Sequence, residues 1–269
     1  FRRALSLAIN RHEINQVVYF GLAREGNNTV LPESPLFRES YRTKWAVYDP
    51  KTANGLLDEM GLAKRDGGGI RLLPNGEPMD LIVETAGEST EATDVLELIS
   101  DSWKKIGVSL FPRPSQREVF RRRIFAGQTV ISIWSGLSNG IPTAEMTPEE
   151  LAPSSEYQLQ WPMWGNYVQT GGKAGEAPET APVKELVALD KAWKEATKKT
   201  EKEKIWRRML EIQADQVFTI GIVNATLQPV VVNKALRNVP EKGFYNWQPG
   251  AYFGIYKPDT FWFDGKSER

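Results

Sequence analysis

The run "STEATDVLELISDSWKKIGVSLFPRPSQREVFRRRIFAGQTVISIW", Ser89 to Trp134, decides how this chain folds. Val95, Leu96, Leu98, Ile99 and Trp103 recur at helical spacing and predict a helix over 89–106. "GVSLFPRP" reads as a strand leaving that helix. A second amphipathic helix, over 116–125 and carrying Arg117, Arg121, Arg122 and Arg123, leads to a second apolar strand over 130–134. Helix and strand alternate, which predicts an α/β sheet with helical crossovers. In such sheets ligands sit beyond the carboxyl ends of the strands. The loop after Trp134 occupies that kind of position: Ser135, Gly136, Ser138, Asn139 and Gly140 precede Pro142.

Working back toward the start, "PNGEP" separates two alternating runs, and Asn75-Gly76 predicts a β-hairpin turn. "YDPKTANGLLDEMGL" predicts a helix in which Asp49 caps, Pro50 takes the first position and Gly61 ends it. Residues 24–45 read as a long irregular loop. Phe1 opens directly into a helical pattern containing Ala4, Leu5, Ala8 and Ile9, and residues 13–20 continue it. With no cap or leader in front of that pattern, the chain reads as one cut at the beginning of a helix.

Forward of the loop, Thr147-Pro148-Glu149-Glu150 predicts a helix start, and residues 153–178 show little periodicity but carry Tyr157, Trp161, Trp164 and Tyr167. Two helices follow over 183–198 and 201–217, with Thr200 and Glu203 spaced as a capping box. "VFTIGIVN" and "LQPVVVN" predict late strands. From Val239 the chain is aromatic and punctuated by Gly and Pro, with Tyr245, Trp247, Tyr252, Phe253, Tyr256, Phe261 and Trp262.

Composition narrows the function classes. The 269 residues are 41% hydrophobic, enough for a sizeable core, and Lys plus Arg equals Asp plus Glu at 34 each. Such a balance gives no bulk field for nucleic acid, which is not an expected partner. No stretch approaches the roughly 18 apolar residues of a membrane span. The absence of cysteine rules out disulfides and thiolate chemistry. His12, the single histidine, has no partner spacing for a triad or a metal site and reads as solvated or capping. Gly67-Gly68-Gly69 lacks the Lys-Ser/Thr of a phosphate loop. The acidic pairs Glu88 with Glu91 and Glu149 with Glu150 each sit at a helix start, which competes with a glycosidase reading. No catalytic residue, metal or cofactor is expected.

Nine tryptophans are the informative feature. Trp103, Trp193 and Trp206 lie on helix faces and read as core. Trp134, Trp161 and Trp164 lie among Gly, Ser, Asn and Pro, where an aromatic ring either stacks on a ligand or plugs a gap under a loop.

"FRRALSLAINRHEINQVVYFGLA", "YDPKTANGLLDEMGL" and "SWKKIGVSLFPRP" occur in an order that resembles the family 5 solute-binding proteins of ABC importers, the oligopeptide, dipeptide and nickel binders. Asn10 replaces that family's usual Asp. The resemblance implies an α/β, class II periplasmic-binding-protein-like lobe with a mixed sheet flanked by helices. It implies that this is the C-terminal part of a two-lobed binder, with residues 1–232 as the C-terminal lobe and 233–269 as a tail returning to the N-terminal lobe. It further implies ligand capture without catalysis, a membrane permease as partner, a periplasmic or extracellular location and a monomeric full-length form. The resemblance implies Trp134, Ser135, Ser138 and Asn139 as ligand-binding residues, and the loop aromatics Trp161, Trp164 and Tyr167 join them as candidates. Ser138 and Asn139 stand where that family commonly has an acid for a peptide amino terminus. A neutral polar loop beside tryptophans suits a sugar as well as an oligopeptide. A carbohydrate-active enzyme, or an interaction module using the aromatic tail, are the competing readings.

Overall fold

The computed structural model describes residues 1–243 and 257–265. Helices α1 (Arg2–Leu7) and α2 (Arg11–Tyr19) are separate, because the Asn10 side chain accepts from the Glu13 N–H at 3.2 Å and starts a new helix. Strand β1 (Arg24–Glu25) and the short helix α3 (Glu39–Thr43) interrupt the stretch expected to be irregular. Helix α4 (Pro50–Glu59) forms as the sequence predicts, Asp49 accepting from Thr52 N–H at 2.9 Å.

The central strand β2 (Asp80–Thr85) leads into α5 (Thr90–Lys104), β3 (Ser109–Pro114), α6 (Arg117–Phe125) and β4 (Ile131–Ser132). The three strands pair in the order β3-β2-β4, all parallel, so the α/β class holds and the antiparallel pairing lies outside this sheet. Ser109 N–H and Ser115 N–H donate to the β2 side, at Met79 and Thr85, both at 3.0 Å. Alternation then turns Pro112 and Pro114 to the outer edge, where a missing N–H costs no ladder bond.

The Asn75-Gly76 turn forms, but the hairpin does not extend. Leu73 bonds Gly76 N–H at 2.9 Å and Glu77 O at 2.8 Å, and only Gly76 takes a left-handed φ, +86°. This is a three-residue loop closed by a glycine, with one bridge at Leu72 and Pro78 beyond it. Residues 80–85 pair instead in the parallel sheet, which buries Val83 and Glu84.

Past the sheet, Glu149–Leu151 is a single 3-10 turn, not the start of a longer helix. Helix α7 (Pro162–Gln169) occupies a stretch read as aperiodic. Helices α8 (Ala181–Glu195) and α9 (Lys199–Gln216) pack on each other as expected. The capping box does not form: α9 begins at Lys199, which puts Thr200 inside its first turn. Of the late strands, β5 (Val223–Asn224) pairs antiparallel with β1, whereas "LQPVVVN" forms none. In the tail, β6 (Leu236–Arg237) pairs antiparallel with β7 (Trp262–Phe263). Tyr245, Trp247, Tyr252, Phe253 and Tyr256 lie outside the described residues.

Two apolar cores hold these layers. The first joins one face of the sheet (Val83, Leu110) to α1, α4 and α5, where Trp103 is buried and donates its indole N–H to Leu5 O at 3.0 Å. The second joins α8 and α9 to Tyr41, Leu151 and Trp161. Arg11 ties distant segments together, donating to Ser6 O at 2.8 Å, Ala46 O at 3.0 Å and Gly221 O at 2.9 Å. Burial pulls its pKa down to about 10, so it remains charged at neutral pH.

Candidate functional site

Because β2, β3 and β4 run in parallel, their carboxyl ends lie on one edge, and the loop 133–142 leaves from it. Trp134 stands there 42% exposed. Its inner side rests on α6: the Phe120 ring stacks on it at 5.6 Å and 21°, and the Arg117 guanidinium lies 5.3 Å from its centroid. Glu88 in turn holds Arg117 through two bonds to Nε at 2.9 and 3.0 Å. That hydrogen bonding and the guanidinium charge keep the Glu88 carboxyl below its ordinary value. At the same edge Glu84, buried on the central strand, accepts a fork from Arg123 at 2.9 to 3.0 Å, with Arg113 at 3.7 Å. Arg117 and Arg123 of α6 are thus both paired with carboxylates at this edge.

The rest of the loop is held by its backbone. Leu137 N–H donates to Asn28 Oδ1 at 3.0 Å, and Ser138 N–H to the Glu150 carboxylate at 3.0 and 3.3 Å. Leu31 N–H meets Gly140 O at 2.6 Å, and the Ser34 hydroxyl meets Pro142 O at 2.6 Å. Asn139 spends its amide inside the loop, accepting from Ile141 N–H at 3.0 Å and donating to Met146 Sδ at 3.3 Å. Ser135 is exposed.

The three remaining expected residues lie on or next to α7, which packs against α6. Trp161 is buried. It is only 3% exposed, edge-on to Phe218 at 5.3 Å with its indole N–H on Gln158 at 3.0 Å, and offers no face to a ligand. Trp164 and Tyr167 are half-buried, Trp164 against the second core. That Asn28, Phe120, Arg117 and Glu150 shape the loop escaped the sequence reading. Only the helical spacing of Arg117 and Phe120 hinted at a shared face.

Elsewhere, a hollow of about 350 Å³ between α8 and α9 is lined by Lys44, Glu185, Arg208, Glu211 and Asp215. Its charges pair among themselves, Lys44 with Asp215 at 2.8 Å and Arg208 with Glu185 at 2.6 Å. The His12 ring is largely solvated and contacts Glu25 at 3.1 Å. Among the described residues no cluster of His, Asp or Glu is placed to hold a metal ion.

The family model of bacterial extracellular solute-binding proteins, family 5 Middle, matches residues 1–157. No curated protein matches the chain in sequence. Among solved structures, the oligopeptide-binding protein OppA is 30% identical with a TM-score of 0.74, over 89% of this chain and 39% of its own. AppA of Bacillus subtilis, solved with a nonapeptide, is 16% identical with a TM-score of 0.67, over 98% of this chain and 47% of its own. MelB of Agrobacterium fabrum, solved with stachyose, is 17% identical with a TM-score of 0.71, over 100% of this chain and 40% of its own. At those identities the last two speak for the fold alone. The chain thus spans roughly two-fifths of the length of these structures, 39 to 47%. A family match over more than half the chain, carried by a parallel sheet whose carboxyl edge presents Trp134, makes this protein a member of the family 5 bacterial extracellular solute-binding proteins.

Proposed function

We propose that this chain is part of the substrate-binding component of an ABC importer and helps to capture an oligopeptide-like solute. The observation that carries this reading is the half-exposed Trp134, backed by Phe120 and Arg117 at the carboxyl edge of the sheet, in a chain 30% identical to OppA. An aromatic face on a rigid support offers contact area at little entropic cost. Ser135 and Ser138 supply polar side chains beside it, Asn139 holds the loop's shape from within, and Trp164 and Tyr167 stand on the neighbouring helix.

In this reading residues 1–232 form one lobe and 233–269 return toward another, and the two close on the ligand. The protein works by binding and release without turnover, as a monomer outside the cytoplasm, delivering to a membrane permease. Oligosaccharide capture is the second reading. The neutral side chains of Ser135 and Ser138 favour it, since hydroxyls pair with such groups, and MelB shares the fold.

Thermal shift of the full-length protein against tri- to pentapeptides and against oligosaccharides tests the proposal. Binding to the folded state raises the melting temperature by mass action, and the ligand is recovered intact. Stabilisation by oligosaccharides alone would select the second reading. Hydrolysis of any ligand would overturn both.

A further inference from the structure

Beyond the contacts of Leu31 and Ser34 with its far end, the loop that carries Trp134 is tied near the ring to a part of the chain more than a hundred residues away by the side chain of Asn28. Its Oδ1 accepts from Leu137 N–H at 3.0 Å, and its Nδ2 donates to Thr219 Oγ1 at 3.1 Å. Both neighbours have glycine where a side chain would break the fit. A Cβ on Gly136 would lie 2.5 Å from Asn28 Oδ1, and one on Gly221 would lie 2.1 Å from Asn28 N. Gly26 N–H bonds Ile222 O at 3.2 Å beside the β1–β5 pair, which fixes Asn28 from behind.

We propose that Asn28 is a positioning residue for ligand binding, its amide clamping the Trp134 loop at Leu137 to the segment at Thr219. The proposal rests on the loop being the ligand loop. Trp134 is supported in two ways: α6 holds its ring, and the backbone beyond it is held by Asn28 three residues on, with Glu150 on the next amide. Removing either support leaves the ring present but free to reorient, so the cost falls on binding and not on folding.

Hydrogen exchange of the full-length protein measures the clamp directly. In Asn28→Ala the Leu137 amide should exchange about tenfold faster, the scale of one lost hydrogen bond, while α5 is unchanged. Asn28→Asp keeps an acceptor for Leu137 and loses only the donor to Thr219, so Leu137 should stay protected. If Asn28→Ala does not fold, Gly136→Ala crowds the same oxygen and should give the same acceleration. Unchanged exchange at Leu137, or equal acceleration in α5, overturns the proposal. Titration with pentaalanine followed by tryptophan fluorescence adds the binding readout: affinity should fall about tenfold in Asn28→Ala with the melting temperature held. Equal affinity in the variant overturns the role in binding. A wild-type protein that ignores pentaalanine counts against peptide capture, and the exchange data still decide the clamp.

Discussion

Trp134 and Trp161 have similar neighbours in sequence, Ser and Gly after one, Pro after the other, yet one is 42% exposed and the other 3%. Trp134 follows β4, a two-residue strand on the edge of the sheet, and Phe120 and Arg117 of α6 lie against it. Trp161 precedes α7 and is met by Phe218, which arrives at the end of α9. A ring in a polar loop becomes core when a distant segment covers it, and stays partly exposed where no segment closes over its outer face. The two regions also differ in how their loops are held. Around Trp134 the backbone is fixed by side chains from elsewhere, Asn28 and Glu150. Around Trp161 the packing is close enough that a Cβ on Gly165 would lie 2.0 Å from Ser155 O.

The largest effect that could break this contrast is Trp161→Ala. It should cost about 3–5 kcal/mol of stability in urea unfolding, as truncation of a buried aromatic does. A loss under about 1 kcal/mol would put the ring back among surface candidates. Gly165→Ala should cost about 1–3 kcal/mol, because the new methyl meets a backbone carbonyl that cannot turn away. An unchanged unfolding midpoint would show that α7 is not seated against residue 155.

Trp134→Ala should weaken ligand binding by about 1–3 kcal/mol in calorimetry while the stacking lost on Phe120 costs stability about 1 kcal/mol. A stability loss like that of Trp161 would erase the difference between the two rings. The smallest effect concerns acid. Glu88 has its carboxyl depressed by Arg117, so its contribution is present above the ordinary value of 4.5 and is lost as pH falls through the lower folded value. Trp134 fluorescence should therefore shift only below pH 4.5, as Arg117 is released. Glu88→Gln should abolish that shift, and its persistence would separate Arg117 from the orientation of the ring.

The elements whose signals are local were legible. Asp49 caps α4 where the sequence places it, accepting at 2.9 Å, and the helix-strand alternation over 89–134 appears as the parallel sheet. Such signals depend on contacts within one turn of helix or one strand period. Thr200 and Asn75 show the limit even of local patterns. A residue with a suitable side chain satisfies a capping or turn pattern in the sequence, but neighbouring packing decides which backbone position it occupies.

By itself the sequence determined the α/β class, the helical hairpin at α8 and α9, the family and the edge from which the Trp134 loop leaves. Each follows from periodicity, caps or ordered local matches. Only the tertiary structure decided that Trp161 is core, that Glu84 is buried beneath Arg123, and that Asn28 reaches Leu137 across 109 positions. Those outcomes depend on which distant segments come into contact, and a hydrogen bond between far positions leaves no period or spacing in the chain.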